Sequence, residues 1–393
     1  MKIQNSKFKI ESLAPALLGW FEKNARDLPW RRTTDPYAIW VSEIMLQQTQ
    51  VKTVLGYWER WMRALPSVNA LAKARPATIH KLWEGLGYYT RVRNMQKAAQ
   101  EIMARHGGKF PREYEAILEL PGIGRYTAGA IASIAFNEPR AILDGNVMRV
   151  LTRIFGVEGN AREKPANEEL WRLAQEMVTE ADLRSVKSLN GCNVKTGGAS
   201  RSGKVPGRNG TNCCSHLNQA LMELGALICT PKQPKCSICP ARKCCEALRT
   251  ERIESLPNLA KRVESTPRRF VAFVVEHRGR YLVRQRPAGV VNGHLWEFPN
   301  VEVETSGAEK ISQRRLTSAA TELGFEPQRW QPLCTIKHTI TRYRITLEAY
   351  RGEMKRGAGK SVSKGQWLTA AELGKLAFTS AHGKILKILL ANT

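Results

Sequence analysis

From about residue 10 to residue 184 apolar side chains return every three or four positions, as in IHKLWEGLGYYTRVRNMQKAAQEIMARHG. That is the period of a helix with one buried face. Pro66-Ser67, the Gly107-Gly108 pair and the run Pro165-Ala166-Asn167 interrupt the pattern, so a set of short helices is predicted for this half. After the polar, Pro-containing stretch ERIESLPNLAKRVESTPRR the period changes to alternation, and RFVAFVVEHRGRYLVRQR reads as two strands about a turn at Gly279. The expected organisation is multidomain: an all-α domain over 1–250, a linker over 251–267 and an α+β domain over 268–393. A chain of 393 residues is long enough for separate cores.

Residues 186–215 fit neither period. They are rich in Gly, Ser and Asn and carry five basic residues and no acidic one, which predicts a disordered insert. Within it GGASRSGKV imitates a phosphate loop, but Val205 stands where a magnesium-binding hydroxyl is required and no apolar strand precedes it. Cys192, Cys213, Cys214 and His216 are the residues there able to form a metal site. Across the chain 61 Lys and Arg face 35 Asp and Glu, a formal net charge of +26. Such self-repulsion is relieved by a polyanion, and nucleic acid is the expected partner. No run approaches 18 apolar residues and MKIQNSKFKIES lacks the apolar core of a secretory signal, so no membrane partner and a cytoplasmic, nucleoid-associated location are expected. In a reducing compartment the nine cysteines point to metal or free thiols, and five of them lie between 229 and 245.

Two motifs carry most of the chemistry. In YEAILELPGIGRYTAGAIASIAF, about 114–136, two helical patterns flank Pro121-Gly122-Ile123-Gly124. Gly122 and Gly124 allow close backbone approach, and the free N–H groups opening the second helix form an anion site that suits a DNA phosphate. In CTPKQPKCSICPARKCC, the residues Cys229, Cys236, Cys239 and Cys245 give C-x6-C-x2-C-x5-C. Only Cys236 and Cys239 form a close pair, so the spacing favours an iron–sulfur cluster over structural zinc. Lys232, Lys235, Arg242 and Lys243 lie between the ligands and suit phosphate contact.

Glu43 is the one acid of IWVSEIMLQQTQV, an apolar and amide-rich helix. Burial there favours its neutral form, so it can hold a proton near neutral pH. Asp144 in ILDGNVMRV follows Tyr126 by 18 residues and also reads as a helix N-cap.

Taken together, these motifs resemble the MutY-type adenine DNA glycosylases of the helix-hairpin-helix, endonuclease III superfamily, over roughly 10–184 and 217–393. The resemblance implies an all-α glycosylase domain with a helix-hairpin-helix half and an iron–sulfur subdomain, followed by a Nudix-like α+β domain marked by GRYLVRQRP, LWEFP and HTITRYRITLEAY. It implies a [4Fe-4S] cluster on Cys229, Cys236, Cys239 and Cys245, with Cys244 a neighbour. Glu43 would protonate adenine N7 and later handle water, Asp144 would stabilise the cationic sugar, and Tyr126 and Asn146 would support them. Gln48 and Tyr88 would fill the base stack. Arg26, Leu28, Trp30, Arg31, Leu46 and Val51 would line the base pocket, with Gln219 meeting the adenine edge. Bifunctional relatives carry lysine where this chain has Tyr126, and a phenol forms no Schiff base, so base release without strand cleavage is expected.

The second domain keeps only Glu322 of the acidic side chains a Nudix hydrolase needs for magnesium, which implies recognition without hydrolysis. Where the family often has an aromatic-Ser-His triplet this chain has Ile340, Thr341 and Arg342, with Thr341 and Arg342 as the lesion-reading candidates. Leu217 replaces a usual aromatic beside the base pocket. The implied partner is duplex DNA bearing adenine opposite 8-oxoguanine or guanine, bound by a monomer, and no segment identifies a sliding-clamp contact. Two alternatives stay open at this point. An endonuclease III-like glycosylase-lyase for oxidised pyrimidines is opposed by Tyr126, and a non-enzymatic DNA-binding module gives no reason for Glu43 and Asp144.

Overall fold

The structure is a computed structural model that describes residues 6–191, 212–259, 264–304, 311–324, 327–340, 342–354 and 365–391. Contacts divide the chain into two units, Met1–Lys73 with Asn94–Lys261, and Ala74–Arg93 with Arg262–Thr393. The helical period is realised as α1 (Ser6–Asn24), α2 (Pro36–Leu46), α3 (Val51–Ala64), α4 (Val68–Lys73), α5 (Pro76–Trp83), α6 (Thr90–Arg105), α7 (Tyr114–Glu119), α8 (Arg125–Phe136), α9 (Gly145–Phe155), α10 (Lys164–Gly191), α11 (Cys213–Leu227) and α12 (Glu246–Arg249). Of these, α5 and the turn that follows it group with the second unit, although periodicity alone places them in the all-α domain.

In the first unit, α1, α9, α10 and α11 enclose one core in which Leu13, Leu17, Val150, Leu151, Leu173, Met177, Leu217 and Leu221 are fully or almost fully buried. Each of these helices contributes an apolar stripe, and their joint burial supplies the main stabilising term. The sequence insert is narrower than its composition suggests: α10 runs to Gly191 and α11 opens at Cys213. Residues 192–211, including Cys192, lie outside the described residues. The opening of α11 holds because Asn137, the left-handed C-cap of α8, accepts from the N–H groups of Cys214 and Ser215 through its Oδ1, satisfying donors a helix start leaves free. The expected linker is also shorter. Its first part packs on the helical unit, where Arg153 Nε donates to the Leu256 carbonyl at 2.8 Å, and its last part is already strand.

The second unit is built on β1 (Thr266–His277), β2 (Arg280–Gln285), β3 (Trp296–Glu297), β4 (Asn300–Val303), α13 (Gln313–Glu322), β5 (Pro327–Ile340), β6 (Tyr343–Met354), β7 (Gln366–Thr369), α14 (Ala370–Leu373) and α15 (Ser380–Ala391). Strands β1 and β2 pair antiparallel about Gly279, as the alternation predicts, with His277 opposite Arg280. The described sheet has the order β3-β2-β1-β6-β5, with β1 and β6 parallel and β4 and β7 paired to β1 and β2. Alternation along β1 sends Ala272 and Val274 into a core under α15, and Val271, Phe273 and Val275 into a second core under α13. A strand buried on both faces is what a sheet covered by helices on each side demands.

Candidate active site

The site is assembled in the first unit from α2, the starts of α8 and α9, and the middle of α11. Helix α2 starts on Pro36 with Asp35 as its cap, accepting from the Tyr37 N–H at 3.0 Å, and every residue from Tyr37 to Met45 is buried. Glu43 is therefore a carboxyl in a helix with no other charge, 4 % exposed. The phenol of Tyr126, in the first turn of α8, donates to Glu43 Oε2 at 2.6 Å. Burial raises the Glu43 carboxyl to about 7, with the Asp144 charge adding to the rise and the Tyr126 bond and Arg31 opposing it. At neutral pH such an acid is poised between its two forms.

Asp144 caps α9. Its Oδ1 accepts from the N–H groups of Asn146 and Val147 at 2.9 and 2.7 Å, and its Oδ2 accepts from Asn146 Nδ2 at 3.0 Å. Burial raises its pKa while these bonds resist the rise by stabilising the carboxylate. The expected cap is thus present, and the same side chain lines the cavity described below. Asn146 Oδ1 accepts from Arg149 Nη2 at 2.9 Å, and Arg149 Nε donates to the Cys229 carbonyl at 2.7 Å. Helix α11 packs directly on this corner: a Cβ on Gly225 would lie 2.6 Å from Asn146 Cβ.

Glu43, Tyr126, Asp144 and Asn146 open on one cavity of about 530 Å³, within the roughly 300–1,000 Å³ range of small-molecule sites. Arg26, Leu28, Trp30, Arg31, Leu46, Gln48, Val51 and Gln219 line the same cavity. Gln219 lies one turn after Ser215 on α11 and donates to its Oγ at 3.0 Å. Gln48 adopts φ 56, a left-handed backbone that costs energy in a non-glycine residue and concentrates at functional sites. Leu217 packs in the core and is not part of the lining.

Among the cavity residues that sequence reasoning did not name, Met222 and Glu223 bond directly to named site residues. Met222 Sδ accepts from the Tyr126 hydroxyl at 3.5 Å. Glu223 is buried and accepts from Arg26 N, Nε and Nη2 at 2.8–3.0 Å and from Arg31 Nη2 at 2.9 Å. Burial opposes its charge, but the two guanidinium groups win and bring it down to about 2. One signal was available: Glu223 stands four residues after Gln219 and so shares its helix face.

At the Pro121-Gly122-Ile123-Gly124 turn the two glycines differ. Gly122 has φ 78, and a Cβ there would strike Asn94 at 2.6 Å. Gly124 caps α8 at φ −100, and a Cβ there would meet nothing within 4 Å. Its bareness leaves the helix start open to an external group.

Cys229, Cys236, Cys239 and Cys245 face one cavity together with Arg153 and Arg242 and no carboxylate, and all four are free thiols. Arg153, 2 % exposed, reaches Cys229 Sγ at 3.4 Å. Cys244 stands aside, 3.4 Å from Ser12 Oγ. In the second unit Tyr88 is 51 % exposed with φ 46, and the Arg91 guanidinium lies 5.7 Å from its ring centre. Arg342 lies over the Tyr343 ring at 5.2 Å, and Arg268 lies over the same ring at 5.0 Å. Thr341 is outside the described residues. Among the described residues no helix is long and apolar enough to cross a membrane.

Residues 41–176 match the family model of the HhH-GPD superfamily base excision DNA repair proteins, and residues 270–388 match that of the NUDIX domain. The chain is 32 % identical to an adenine DNA glycosylase of Rattus norvegicus, covering 95 % of this chain and 77 % of that protein. It is 34 % identical to an adenine DNA glycosylase of Buchnera aphidicola, covering 76 % of this chain and 77 % of that protein. Among solved structures, a thermostable thymine-DNA glycosylase superposes with a TM-score of 0.50 at 28 % identity, over 62 % of this chain and 98 % of the other.

Proposed function

The chain belongs to the adenine DNA glycosylase family, and from that premise we propose that it releases adenine paired with 8-oxoguanine or guanine in duplex DNA, without cutting the strand. The observation that carries the reading is one cavity in which two of the carboxyl groups stand in opposed settings, Glu43 bonded to a phenol and Asp144 bonded to two backbone N–H groups.

Adenine inside a duplex is out of reach, so the base must first leave the stack. Gly122 and Gly124 hold the phosphate backbone, and Gln48 fills the space left behind. The flipped base enters the cavity between Leu28, Trp30, Leu46 and Val51, with the Gln219 amide at its edge and Arg26 and Arg31 fixed by Glu223. Glu43, protonated in the lower half of the neutral range, delivers its proton to adenine N7 as the glycosidic bond breaks. Asp144 then faces a sugar that has become cationic, and Asn146 keeps the carboxylate aimed at it. Glu43, now ionised, accepts a proton from the water that completes hydrolysis. Tyr126 offers no amine, so no Schiff base links the enzyme to the sugar.

The four cysteines that share a cavity suit a [4Fe-4S] cluster: four soft thiols, apolar walls, two guanidinium groups and no competing carboxylate. Bound there, the cluster would cross-link the 229–245 loop and hold its lysines and arginines for phosphate contact. In the second unit Thr341 and Arg342 take the part of lesion readers.

Excess enzyme is to be mixed with duplexes holding A opposite 8-oxoguanine, G or T, or holding thymine glycol, and strand breaks scored with and without alkali. Alkali-dependent breaks that form fastest opposite 8-oxoguanine are expected. Direct nicking at thymine glycol would establish the lyase alternative instead.

A further inference from the structure

Helices α10 and α11 carry a second group of metal-ligating side chains, apart from both the cleft and the 229–245 loop. One carboxylate oxygen of Asp182 and the sulfurs of Cys213 and Cys214 all lie within 4.8 Å of one another. Cys213 Sγ and Cys214 Sγ are 3.9 Å apart, and Cys214 Sγ is 3.8 Å from Asp182 Oδ1. Neither thiol is in a disulfide, the sulfurs standing at almost twice the roughly 2.05 Å of that bond. Cys214 is fully buried and Cys213 is 8 % exposed.

Successive side chains on a helix diverge by about 100°, so two adjacent sulfurs converge on one acid only where the helix start is held firmly. Asn137 does this, accepting from the N–H groups of Cys214 and Ser215 at 3.0 and 3.1 Å. A thiol donating to Asp182 would explain one of the close approaches. An S–H···S contact between the two thiols accounts for the other, so what bears on a cation is the fit of the separations. Tetrahedral zinc, with bonds of about 2.3 Å to sulfur and 2.0–2.2 Å to oxygen, requires separations of roughly 3.8 Å between sulfurs and roughly 3.6 Å between sulfur and oxygen. The Cys213–Cys214 and Cys214–Asp182 separations agree to within a few tenths of an ångström, and Cys213 lies within 4.8 Å of the same carboxylate oxygen.

We propose that Asp182, Cys213 and Cys214 form a structural site for a soft divalent cation of the zinc type, with water as the fourth ligand. Binding releases the two thiol protons to solvent. His216, an expected ligand of such a site, packs against Phe21 at 5.7 Å between ring centres instead, and the carboxylate comes from α10, which the cysteine pattern does not reveal. The ion ties α10 to the first turn of α11. That turn sets the position of the helix that carries Gln219, Met222 and Glu223 to the cleft.

The test is metal analysis of the full chain, purified with zinc present, dialysed against zinc-free buffer and assayed for zinc and iron by plasma mass spectrometry. About one zinc per chain is expected, falling at least tenfold in Cys213→Ser and in Asp182→Asn while iron is unchanged. Asp182 is only partly buried, so the Asn variant keeps the test open if the Ser variant fails to fold. Absence of bound zinc in the unaltered chain overturns the site. So does zinc that persists in both variants, or zinc lost only from Cys236→Ser, which would place the ion in the 229–245 loop.

Discussion

Two glutamates that line one cleft are both hidden from water and end in opposite states. Glu43, 4 % exposed, is held near 7, and Glu223, 1 % exposed, is held near 2. Burial pushes both up. What separates them is the partner: a neutral phenol for Glu43, two guanidinium groups for Glu223. Burial therefore keeps a carboxyl raised only where no guanidinium bonds it directly, and the same cleft uses the paired case to fix its walls.

Removing the unpaired acid should have the largest effect. Glu43→Gln keeps the shape of the side chain but not its proton, and single-turnover base release should fall by about 10²–10⁴-fold with duplex affinity retained. A variant releasing adenine at the normal rate would take Glu43 out of the chemistry. Glu223→Gln should instead act on stability. It strands two guanidinium groups, and breaking a buried pair costs about 3–5 kcal/mol. With Arg26 36 % exposed on its side chain, the lower end is expected, a melting temperature lower by roughly 6–12 °C. The sign of its pH dependence follows from the depressed pKa: the contribution is present above the ordinary value of 4.5 and is lost as pH falls towards 2. Calorimetric melts of the variant and the unaltered chain should converge over that interval; a constant gap would mean that the ion pair is not its source.

How much of this was legible beforehand follows the same division. The burial of Glu43 could be read because every residue around it in the helix is uncharged. The ion pairs of Glu223 could not, since its partners stand 197 and 192 residues away and no period connects them. The two strands about Gly279 were readable from alternation, and the helix-hairpin-helix from its glycines. The extent of the insert was not, because Gly, Ser and Asn near 186–191 say nothing of the long helix already running through them. The left-handed backbone of Gln48 was equally invisible, since it is imposed by the ends of α2 and α3 and not by an amide side chain. Local pattern reports burial and period; it does not report which distant charge arrives.

A smaller effect should appear in the pH profile. If the proton on Glu43 is required, base release by the unaltered chain should fall about tenfold per pH unit once pH rises through about 7. A flat profile up to pH 9 in single-turnover assays would show that the protonated carboxyl is not the acid.

The smallest and most discriminating change is Tyr126→Phe. Burial lifts the Tyr126 phenol well above its ordinary value, and the neighbouring carboxylates lift it further, so it keeps its proton throughout the working range. Towards an ionised Glu43 it acts as a donor, and a donated bond favours the carboxylate, which is why it works against burial in setting the Glu43 pKa. Removing the hydroxyl should raise that pKa further. The alkaline limb of the base-release profile should move up by less than about one pH unit, because burial is the larger cause and stays in place. A purely structural role for Tyr126 would lower the rate at every pH and leave the limb where it was. A limb that moves down would mean that Glu43 takes its proton from the phenol, and the partner that distinguishes it from Glu223 would have to be sought elsewhere in the cleft.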